Sequence, residues 1–444
     1  MKKMKWRTKN ERGFYMAIIL ILQMLLAVLL YTKGNLDAYL GICLPMFVIS
    51  IFIIGTTKMF GENMIFVMSA LMLIQIGMAM QVLIRPQYAA KLVLIEGIAL
   101  CLGTAMSISV QYLQQRKSRK KQRKFSIWAS VFLYLCLIVF GATINGTRAW
   151  IKFGSFTFQL TEIIKGIAIF ALASIFSEET WSEKEKFKYA CLLILFHGIG
   201  MAMLRELGTF VVLLLVFFAM MLLFMKEIKY FLVSIASLTG AIAGGIGISY
   251  ICHDLYERKF SFLLIRYGNF IWNKIYNRMQ LFTALDELDP YGIGYQSLTA
   301  RKAISLGGVL GSRYHIRIPV EESEYIFVSI LLNLGYVMAI VVILLFLCHF
   351  ISGMKMAWKC KDSFRSCVAV GCFSMILFQT LLAMLGTTNA FLLIGVPIPF
   401  LSAGGASHAL QFAILGYMRN ISAEKKLFKR KRKGEWPCKI LKRL

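Results

Sequence analysis

Three carboxylates lie close together where a polar segment runs into a long apolar stretch, in the sequence PVEESEYIF from Pro319 to Phe327. These carboxylates belong to Glu321, Glu322 and Glu324. At such a junction, a carboxylate can cap a helix, because the N-terminal end of a helix carries partial positive charge. It can also act as a general base at a membrane surface. From these residues alone, helix capping is the favoured interpretation and a catalytic base is the alternative.

A glycine-rich segment precedes the carboxylates, GIGYQSLTARKAISLGGVLG at 292–311. The backbone amides of such segments can cradle phosphate oxygens, and nearby cations add to the attraction. The nearby cations are Arg301, Lys302, Arg313 and Arg317. A glycine pattern of this kind is not specific by itself, so an anion site here is a hypothesis.

Two further pairs of charges lie at ends of apolar stretches. Glu162 and Lys165 are three residues apart, which places them on one face of a helix beginning near Thr161. Because a charge in hydrocarbon is usually paired or lines a cavity, a structural ion pair is favoured and direct substrate contact is the alternative. The adjacent Arg205 and Glu206 form a buried pair or a short polar turn, and their spacing favours the turn.

The sequence GTTNAFLLIGVPIPFLSAGGAS at 386–407 predicts a broken helix. Pro397 and Pro399 interrupt the helix, while Gly404 and Gly405 let another backbone approach closely. Non-helical backbone at membrane depth is tolerated only where protein or a cavity encloses it. This segment therefore indicates a site within a membrane protein.

The elements that position these residues are apolar helices. Of the 444 residues 58% are hydrophobic and only 16% are charged, and long runs carry almost no charge. A bilayer is spanned by about 20 apolar helical residues, so we predict an all-α, polytopic bundle of about twelve transmembrane helices. The predicted spans are 14–31, 36–57, 64–84, 90–112, 126–144, 159–177, 187–204, 206–225, 229–250, 323–350, 365–386 and 400–418.

The net charge of +28 is concentrated between the spans. Basic blocks at 116–124, 355–361 and 425–433 fall on one side when both termini are placed in the cytoplasm, as the positive-inside rule predicts. We interpret the charge as orientation and anionic-lipid contact rather than nucleic-acid binding. The apolar run after the basic N-terminus resembles a signal peptide, but no cleavage site of the A-x-A kind follows, so a retained first helix is expected.

Two segments fall on the opposite, extracytoplasmic side. One is a loop at 145–158, and the other is a long amphipathic region at 251–322 whose aromatic and basic residues suit short helices in the membrane interface. Its positive charge either attracts an anionic lipid headgroup or has no function, because long loops cross the membrane regardless of their charge. The ten cysteines lie mostly in apolar runs and form no CxxC pair, which indicates neither a metal site nor a disulfide framework.

Four of these segments, at 145–165, 204–209, 292–327 and 386–407, resemble in order and spacing the FtsW/RodA/SpoVE (SEDS) family of peptidoglycan polymerases. The resemblance extends from about residue 138 to residue 422. GVPIPFLSAGGAS at 395–407 is similar to the family's GIPLPFISYGGSS. The NG-x-x-x-W-I at 145–151, Gln159 with Glu162 and Lys165, LGT at 207–209 and GYQ at 294–296 also match. Family members have ten helices, so the resemblance implies that this chain adds two at its N-terminus.

The resemblance implies a mechanism in which lipid II, a disaccharide on undecaprenyl pyrophosphate, is polymerised at the outer face of the cytoplasmic membrane. A carboxylate deprotonates the acceptor hydroxyl, which displaces the pyrophosphate of the donor with inversion. Arginines or a divalent cation would stabilise the leaving group, so the metal is unknown. The partners implied are lipid II and a monofunctional penicillin-binding transpeptidase.

Residue by residue, the family's catalytic Asp aligns with Glu324, and the Asp of its DLGT motif aligns with Glu206. Ala149 replaces the Arg before the Trp of the family's loop, with Arg148 beside it. The loss of both acidic residues of the family's EELG, at Leu332–Gly335, is a further departure. The binding or supporting candidates are Arg148, Lys152, Glu162, Lys165, Glu206, Gln296, Pro399, Ser402, Gly404 and Gly405.

The expected organisation has three parts. Residues 1–125 form N-terminal transmembrane helices, 126–422 the polymerase-like core with the loop 251–322, and 423–444 a basic cytoplasmic tail. A catalytically impaired scaffold or lipid II-binding regulator is the alternative to a polymerase. A lipid flippase is a third hypothesis, which the absence of an inverted repeat disfavours.

Overall fold

A computed structural model describes residues 2–56, 62–116, 118–144, 146–154, 156–260, 262–314 and 316–432. Within this part, helices α1–α14 and a small sheet, β1–β3, follow one another along the chain. The helices are α1 (Lys2–Tyr31), α2 (Leu36–Thr56), α3 (Glu62–Ile84), α4 (Ala89–Arg116), α5 (Arg119–Phe140), α6 (Leu160–Phe176), α7 (Glu183–Met203), α8 (Leu207–Phe224), α9 (Ile228–Glu257), α10 (Leu263–Thr283), α11 (Tyr295–Leu306), α12 (Ile326–Trp358), α13 (Ser363–Thr387) and α14 (Gly405–Arg432).

The helical, polytopic membrane class is confirmed. Each of the twelve predicted spans coincides with one helix, and ten helices of the described chain are long and apolar enough to cross a membrane. The other two are α6, which has 17 residues, and α14, whose sequence ends in a basic run. The two remaining helices, α10 and α11, lie in the long region predicted at 251–322 to hold short helices.

The helix α3 lies at the centre of the bundle. Its apolar stretch is 89% buried, although most other spans expose more than half of theirs. The N-terminal pair α1 and α2 packs on it through a buried polar cluster, in which Gln23 Nε2 donates to Gln75 Oε1 at 3.0 Å and Gln75 Nε2 donates to Ser50 Oγ at 3.1 Å. Buried amides in an apolar surrounding need such partners, so the cluster fixes how the pair docks.

The helix α4 packs closely along α14. At Gly103 a Cβ atom would lie 2.5 Å from the backbone oxygen of Ala409, so the two backbones approach as only glycine allows. Small residues allow this kind of close packing between membrane helices. The N-terminal half of the chain is thereby joined to the segment that follows the predicted helix break.

The loop predicted at 145–158 is largely a sheet. Strands β1 (Ala142–Ile144), β2 (Thr147–Phe153) and β3 (Phe156–Gln159) form an antiparallel meander in which Trp150 pairs with both Ala142 and Gln159. The span predicted to reach residue 144 is therefore too long, because residues 142–144 bond to β2 and α5 ends at Phe140. Asn145 of the matching motif lies outside the described residues.

Other helix boundaries also differ from the prediction. The helix predicted at 229–250 continues to Glu257, because its residues remain apolar or amphipathic past the predicted end. The basic tail predicted at 423–444 begins inside α14, and residues 433–444 lie outside the described part of the chain. The division at residue 125 stays a prediction.

Candidate functional site

A cavity of about 540 Å³ opens where the sheet, α10 and the broken segment meet. We call this end of the bundle the cavity end. Backbone and side chains of five chain segments surround the cavity, so its shape depends on the tertiary fold. The lining comes from within 144–159, 205–211, 274–278, 320–324 and 392–407, together with Gln296.

The predicted helix break is present. The helix α13 ends at Thr387, α14 begins at Gly405, and the backbone between them carries positive φ at Gly395 (71°) and Phe400 (65°). Gln379 of α13 supports this segment by donating from Nε2 to the backbone oxygen of Pro397 at 2.8 Å. The segment between α13 and α14 is therefore a fixed, non-helical wall of the cavity.

Glu162 and Lys165 form the structural ion pair that their spacing favoured. Lys165 Nζ lies 2.8 Å from Glu162 Oε1 and 2.7 Å from Gln379 Oε1, and both charged side chains are 1% exposed. Neither side chain lines the cavity. Lys165 donates to Gln379, and Gln379 donates to the backbone oxygen of Pro397. The ion pair therefore supports the cavity wall without lining the cavity.

The three carboxylates differ in their environments. The helix α12 has Tyr325 as its N-cap residue, and no side chain caps it, so the interpretation of helix capping is wrong. Glu322 pairs with Arg85, with 2.7 Å between Oε1 and Nη2. Glu324 instead lines the cavity, where it can meet a bound molecule.

Glu324 and Arg278 approach each other above Gly395. A Cβ atom added to this glycine would lie 3.1 Å from Glu324 Oε2 and 3.3 Å from Arg278 Nη2. Arg278 also donates from Nη1 to the backbone oxygen of Leu393. Glycine at position 395 thus provides both the backbone conformation and the room for these two side chains.

Two cations of α10 determine the electrostatics of the cavity. Burial raises the pKa of Glu324, and the charges of Arg278 and Lys274 partly oppose this effect. Burial and then Arg278 lower the pKa of Lys274, while Glu206 and Glu324 act in the opposite direction. Lys274 therefore interacts with both cavity carboxylates, and its Nζ also donates to the backbone oxygen of Arg205 at 3.2 Å.

The turn favoured for Arg205 and Glu206 is present, with φ of 61° at Arg205. Glu206 is buried and accepts hydrogen bonds from Gln159 Nε2 at 3.3 Å and Thr209 Oγ1 at 3.2 Å. Burial raises its pKa, and the bond from Thr209 partly opposes this. The Arg205 guanidinium lies over the Phe270 ring, 4.4 Å from its centroid, so the turn is packed against α10.

The structure brings only some of the sequence candidates to the cavity. Those that line it are Glu324, Glu206, Gln296, Gly404 and Gly405. Those placed elsewhere are Arg148, Lys152, Glu162, Lys165, Pro399 and Ser402. The glycine-rich segment contributes Gln296, while Arg301 pairs with Asp286 at 2.6 Å, and Lys302, Arg313 and Arg317 also lie outside the lining.

The residues that the sequence reasoning missed are mainly Lys274 and Arg278. They are four residues apart on the amphipathic helix α10, so they lie on one face. That spacing, in a segment already recognised as basic and amphipathic, was the signal that could have identified them. Trp150 and Ser407 of the matched motifs also line the cavity, as does Arg205.

The described residues form no site that would hold a metal ion through protein ligands alone. In the part of the chain that the structure describes, no three His, Cys, Asp or Glu side chains are grouped as ligands. The cavity carboxylates Glu206 and Glu324 both interact with Lys274, whose charge repels a metal ion. The positive charge available to an anion in the cavity is that of side chains.

Known proteins resemble this chain over most of its length. The sequence model of the FtsW, RodA and SpoVE family, described as "Cell cycle protein", matches residues 56–427. The probable peptidoglycan glycosyltransferase FtsW of Bacillus subtilis is 26% identical over 353 residues, which cover 76% of this chain and 82% of the relative. The peptidoglycan glycosyltransferase MrdB of Escherichia coli K12 is 24% identical, covering 69% and 80%.

Solved structures share the fold. One, described as structural coordination of polymerization and crosslinking by a peptidoglycan synthase complex, has a TM-score of 0.62 at 19% identity and covers 81% of this chain and 97% of the other. RodA of Thermus thermophilus has a TM-score of 0.54 at 18% identity, with 81% and 96% covered. The family match begins at residue 56, so α1 and nearly all of α2 precede it.

Proposed function

This chain belongs to the FtsW/RodA/SpoVE family of cell cycle proteins, and we propose that it is a peptidoglycan glycosyltransferase that polymerises lipid II. One observation supports this most strongly. The cavity of this multi-pass membrane protein places the carboxylate of Glu324 beside the cations Lys274 and Arg278. A base and a cluster of positive charge are what a glycosyl transfer with a diphosphate leaving group requires.

In the proposed reaction, Glu324 takes the proton of the acceptor sugar hydroxyl. The hydroxyl oxygen then forms a bond to the anomeric carbon of the donor, and the bond from that carbon to the diphosphate oxygen breaks with inversion. The electron pair of that bond leaves with the undecaprenyl diphosphate. A pKa raised by burial suits this role, since a general base works best when its pKa is near the operating pH.

Lys274 and Arg278 stabilise the negative charge that develops on the diphosphate. Charge-assisted hydrogen bonds from lysine and arginine to phosphate are among the strongest polar contacts, and a buried cavity strengthens them further. Arg205 lines the same cavity and adds a third positive charge.

Orientation and partner are part of the proposal. We propose that the cavity faces the outer side of the cytoplasmic membrane. The positive-inside rule supports this, because the basic blocks at 116–124 and 355–361 lie at the ends of α4 and α12 away from the cavity. A resembling structure is a complex that coordinates polymerization with crosslinking. We therefore propose a penicillin-binding transpeptidase as the partner of this chain.

The test is polymerisation of labelled lipid II by the purified protein, alone and with a candidate transpeptidase. We expect wild type to form glycan chains, and Glu324→Gln to be slower by about 10³-fold or more while still binding lipid II, because the base is lost but the cations are not. A matched control is Glu287→Gln, which neutralises an exposed carboxylate outside the cavity lining and should keep the wild-type rate.

The outcomes separate a polymerase from a scaffold. Lipid II bound by wild type without any polymer, also in the presence of the transpeptidase, would identify a binding protein. Polymer formed equally fast by Glu324→Gln would remove Glu324 from the role of base.

A further inference from the structure

We infer that one face of α3 positions the proposed base, and that Gln81 is the positioning residue on which this depends. The inference rests on the proposed function of Glu324 and adds to it a residue that never touches the substrate. Gly77 and Gln81 are four residues apart on one face of α3, and Arg85 follows four residues later, directly after the last residue of the helix. Each of the three contacts a segment of the cavity wall.

Gln81 joins the two segments that carry the wall. Its side-chain amide, which is buried, donates from Nε2 to the backbone oxygen of Glu322 at 2.7 Å and to that of Leu401 at 3.3 Å. The first oxygen belongs to the segment of Glu324, and the second belongs to the broken segment between α13 and α14. A single amide group therefore fixes the distance between them.

Further hydrogen bonds connect the same two segments. The backbone amide of Ala403 donates to the Glu322 oxygen at 2.8 Å, and Ser402 Oγ donates to the Ser323 oxygen at 2.6 Å. The Glu322 oxygen thus accepts from both Ala403 and Gln81. Without Gln81 the two segments would still touch, but the hydrogen bonds by which one side chain of α3 holds both of them would be lost.

The neighbours of Gln81 on this face act on the same segments. At Gly77, a Cβ atom would lie 2.7 Å from the Phe400 oxygen and 2.8 Å from the Leu401 Cα, so the broken segment rests directly on the helix backbone. One turn beyond Gln81, Arg85 holds the Glu322 side chain. The face of α3 thus anchors the chain two residues before Glu324.

This anchorage matters because catalysis depends on the position of the base. A displacement of about 1 Å can slow a reaction by roughly 10²-fold, although the substrate still binds. Glu324 itself has no contact with α3 among those described, so its position is set through the backbone of Glu322 and Ser323. Loss of Gln81 should therefore change turnover more than affinity.

The test compares Gln81→Met with Gln75→Met in the full-length protein. Both substitutions remove a buried amide from α3 and keep the side-chain length, but Gln75 bonds to the N-terminal pair α1 and α2 and not to the cavity wall. We expect Gln81→Met to lower kcat for lipid II polymerisation by about 10- to 100-fold with KM changed less than about 3-fold. Gln75→Met should keep kcat within about 2-fold of wild type, since it leaves the wall in place.

Hydrogen exchange provides a second readout that does not need activity. In Gln81→Met, amides of 320–326 and 396–404 should exchange faster than in wild type, whereas in Gln75→Met they should not, because only the first substitution frees these segments. Wild-type kcat in Gln81→Met, an equal loss in both variants, or unchanged exchange of the two segments would overturn the inference. If wild type forms no polymer, the proposed function fails, and the exchange comparison alone decides about Gln81.

Discussion

The two sides of the cavity are built in opposite ways. On one side, the segments at 320–324 and 392–407 are held by α3, by Gln379 and by the buried pair Glu162–Lys165. On the other side, α9 and α10 form an arm whose first helix buries only 6% of its apolar stretch. Every side chain of α10 keeps part of its surface exposed, although Lys274 and Arg278 are half-buried in the cavity. The proposed base lies on the fixed side and the two cations lie on the arm.

The arm is held together mainly by its own aromatic residues. The Trp272 ring stacks on Tyr276 and meets Tyr250 edge-on, with centroids 6.0 and 5.1 Å apart. Hydrogen bonds from the arm to other parts of the protein include Arg278 to the Leu393 oxygen and Tyr267 to the Ala202 oxygen of α7 at 2.5 Å. Regions with few buried contacts open at lower cost, so the arm is expected to open more easily than the fixed side.

Among the variants that compare the two sides of the cavity, the largest effect is expected from removing the charge of the arm. Lys274→Met combined with Arg278→Met should slow lipid II polymerisation by about 10²-fold or more, because the diphosphate then leaves without a counter-charge. The matched control is Arg301→Met with Lys302→Met, which removes two exposed cations of α11 outside the cavity lining and should change the rate less than about 2-fold. If the Arg301/Lys302 variant were slow and the Lys274/Arg278 variant kept the wild-type rate, the anion site would lie on the glycine-rich segment instead.

A smaller effect is expected where the two sides meet. Gly395→Ala places a Cβ atom 3.1 Å from Glu324 Oε2, so the carboxylate must shift, and the rate should fall about 10-fold. Gly308→Ala is the control, since its φ of 62° imposes a similar backbone strain but no atom lies within 4 Å of the added Cβ. Both variants should lose about 1 kcal/mol of stability, measured by thermal unfolding, and only Gly395→Ala should lose activity. An equal loss of activity in both would mean that strain, not contact with Glu324, is responsible.

The smallest effect is expected for a substitution in the arm that changes only thermal stability. Gly244 of α9 has nothing within 4 Å of an added Cβ atom, whereas one at Gly77 of α3 would meet the backbone of Phe400 at 2.7 Å. Gly244→Ala should therefore leave Tm unchanged or raise it slightly, since alanine favours helix by about 1 kcal/mol over glycine. Gly77→Ala should lower Tm, because overpacking costs about 1–3 kcal/mol. Similar changes in Tm would contradict the contrast between the two sides.

The sequence was sufficient for features that depend on local pattern. Apolar runs of the right length identify helices, two prolines mark the break between α13 and α14, and a spacing of three residues pairs Glu162 with Lys165. Each of these follows from helix geometry and from the cost of unpaired charge in lipid. Tertiary contacts were not needed to recognise them.

The remaining features depend on tertiary contacts. Lys274 and Arg278 are an ordinary basic pair on an amphipathic helix until the fold brings them to Glu324. Gln81 is one glutamine in an apolar run, and nothing in the sequence shows that its amide bonds to residues 241 and 320 positions away. The carboxylates at 321–324 were interpreted as caps for the same reason, because the backbone that turns Glu324 into the cavity is set by distant segments.

The proposed mechanism depends most on the electrostatic contact between the two sides of the cavity, and the pH dependence of the rate tests this contact directly. If Glu324 acts as base, the rate falls as pH decreases through its pKa, which burial raises and Arg278 partly lowers. In Arg278→Gln the opposing charge is lost, so the pKa rises further and the acid limb of kcat/KM should move to higher pH, while Arg301→Gln should leave it in place. An acid limb at the same pH in wild type and Arg278→Gln would show that the cation and the carboxylate do not form one site.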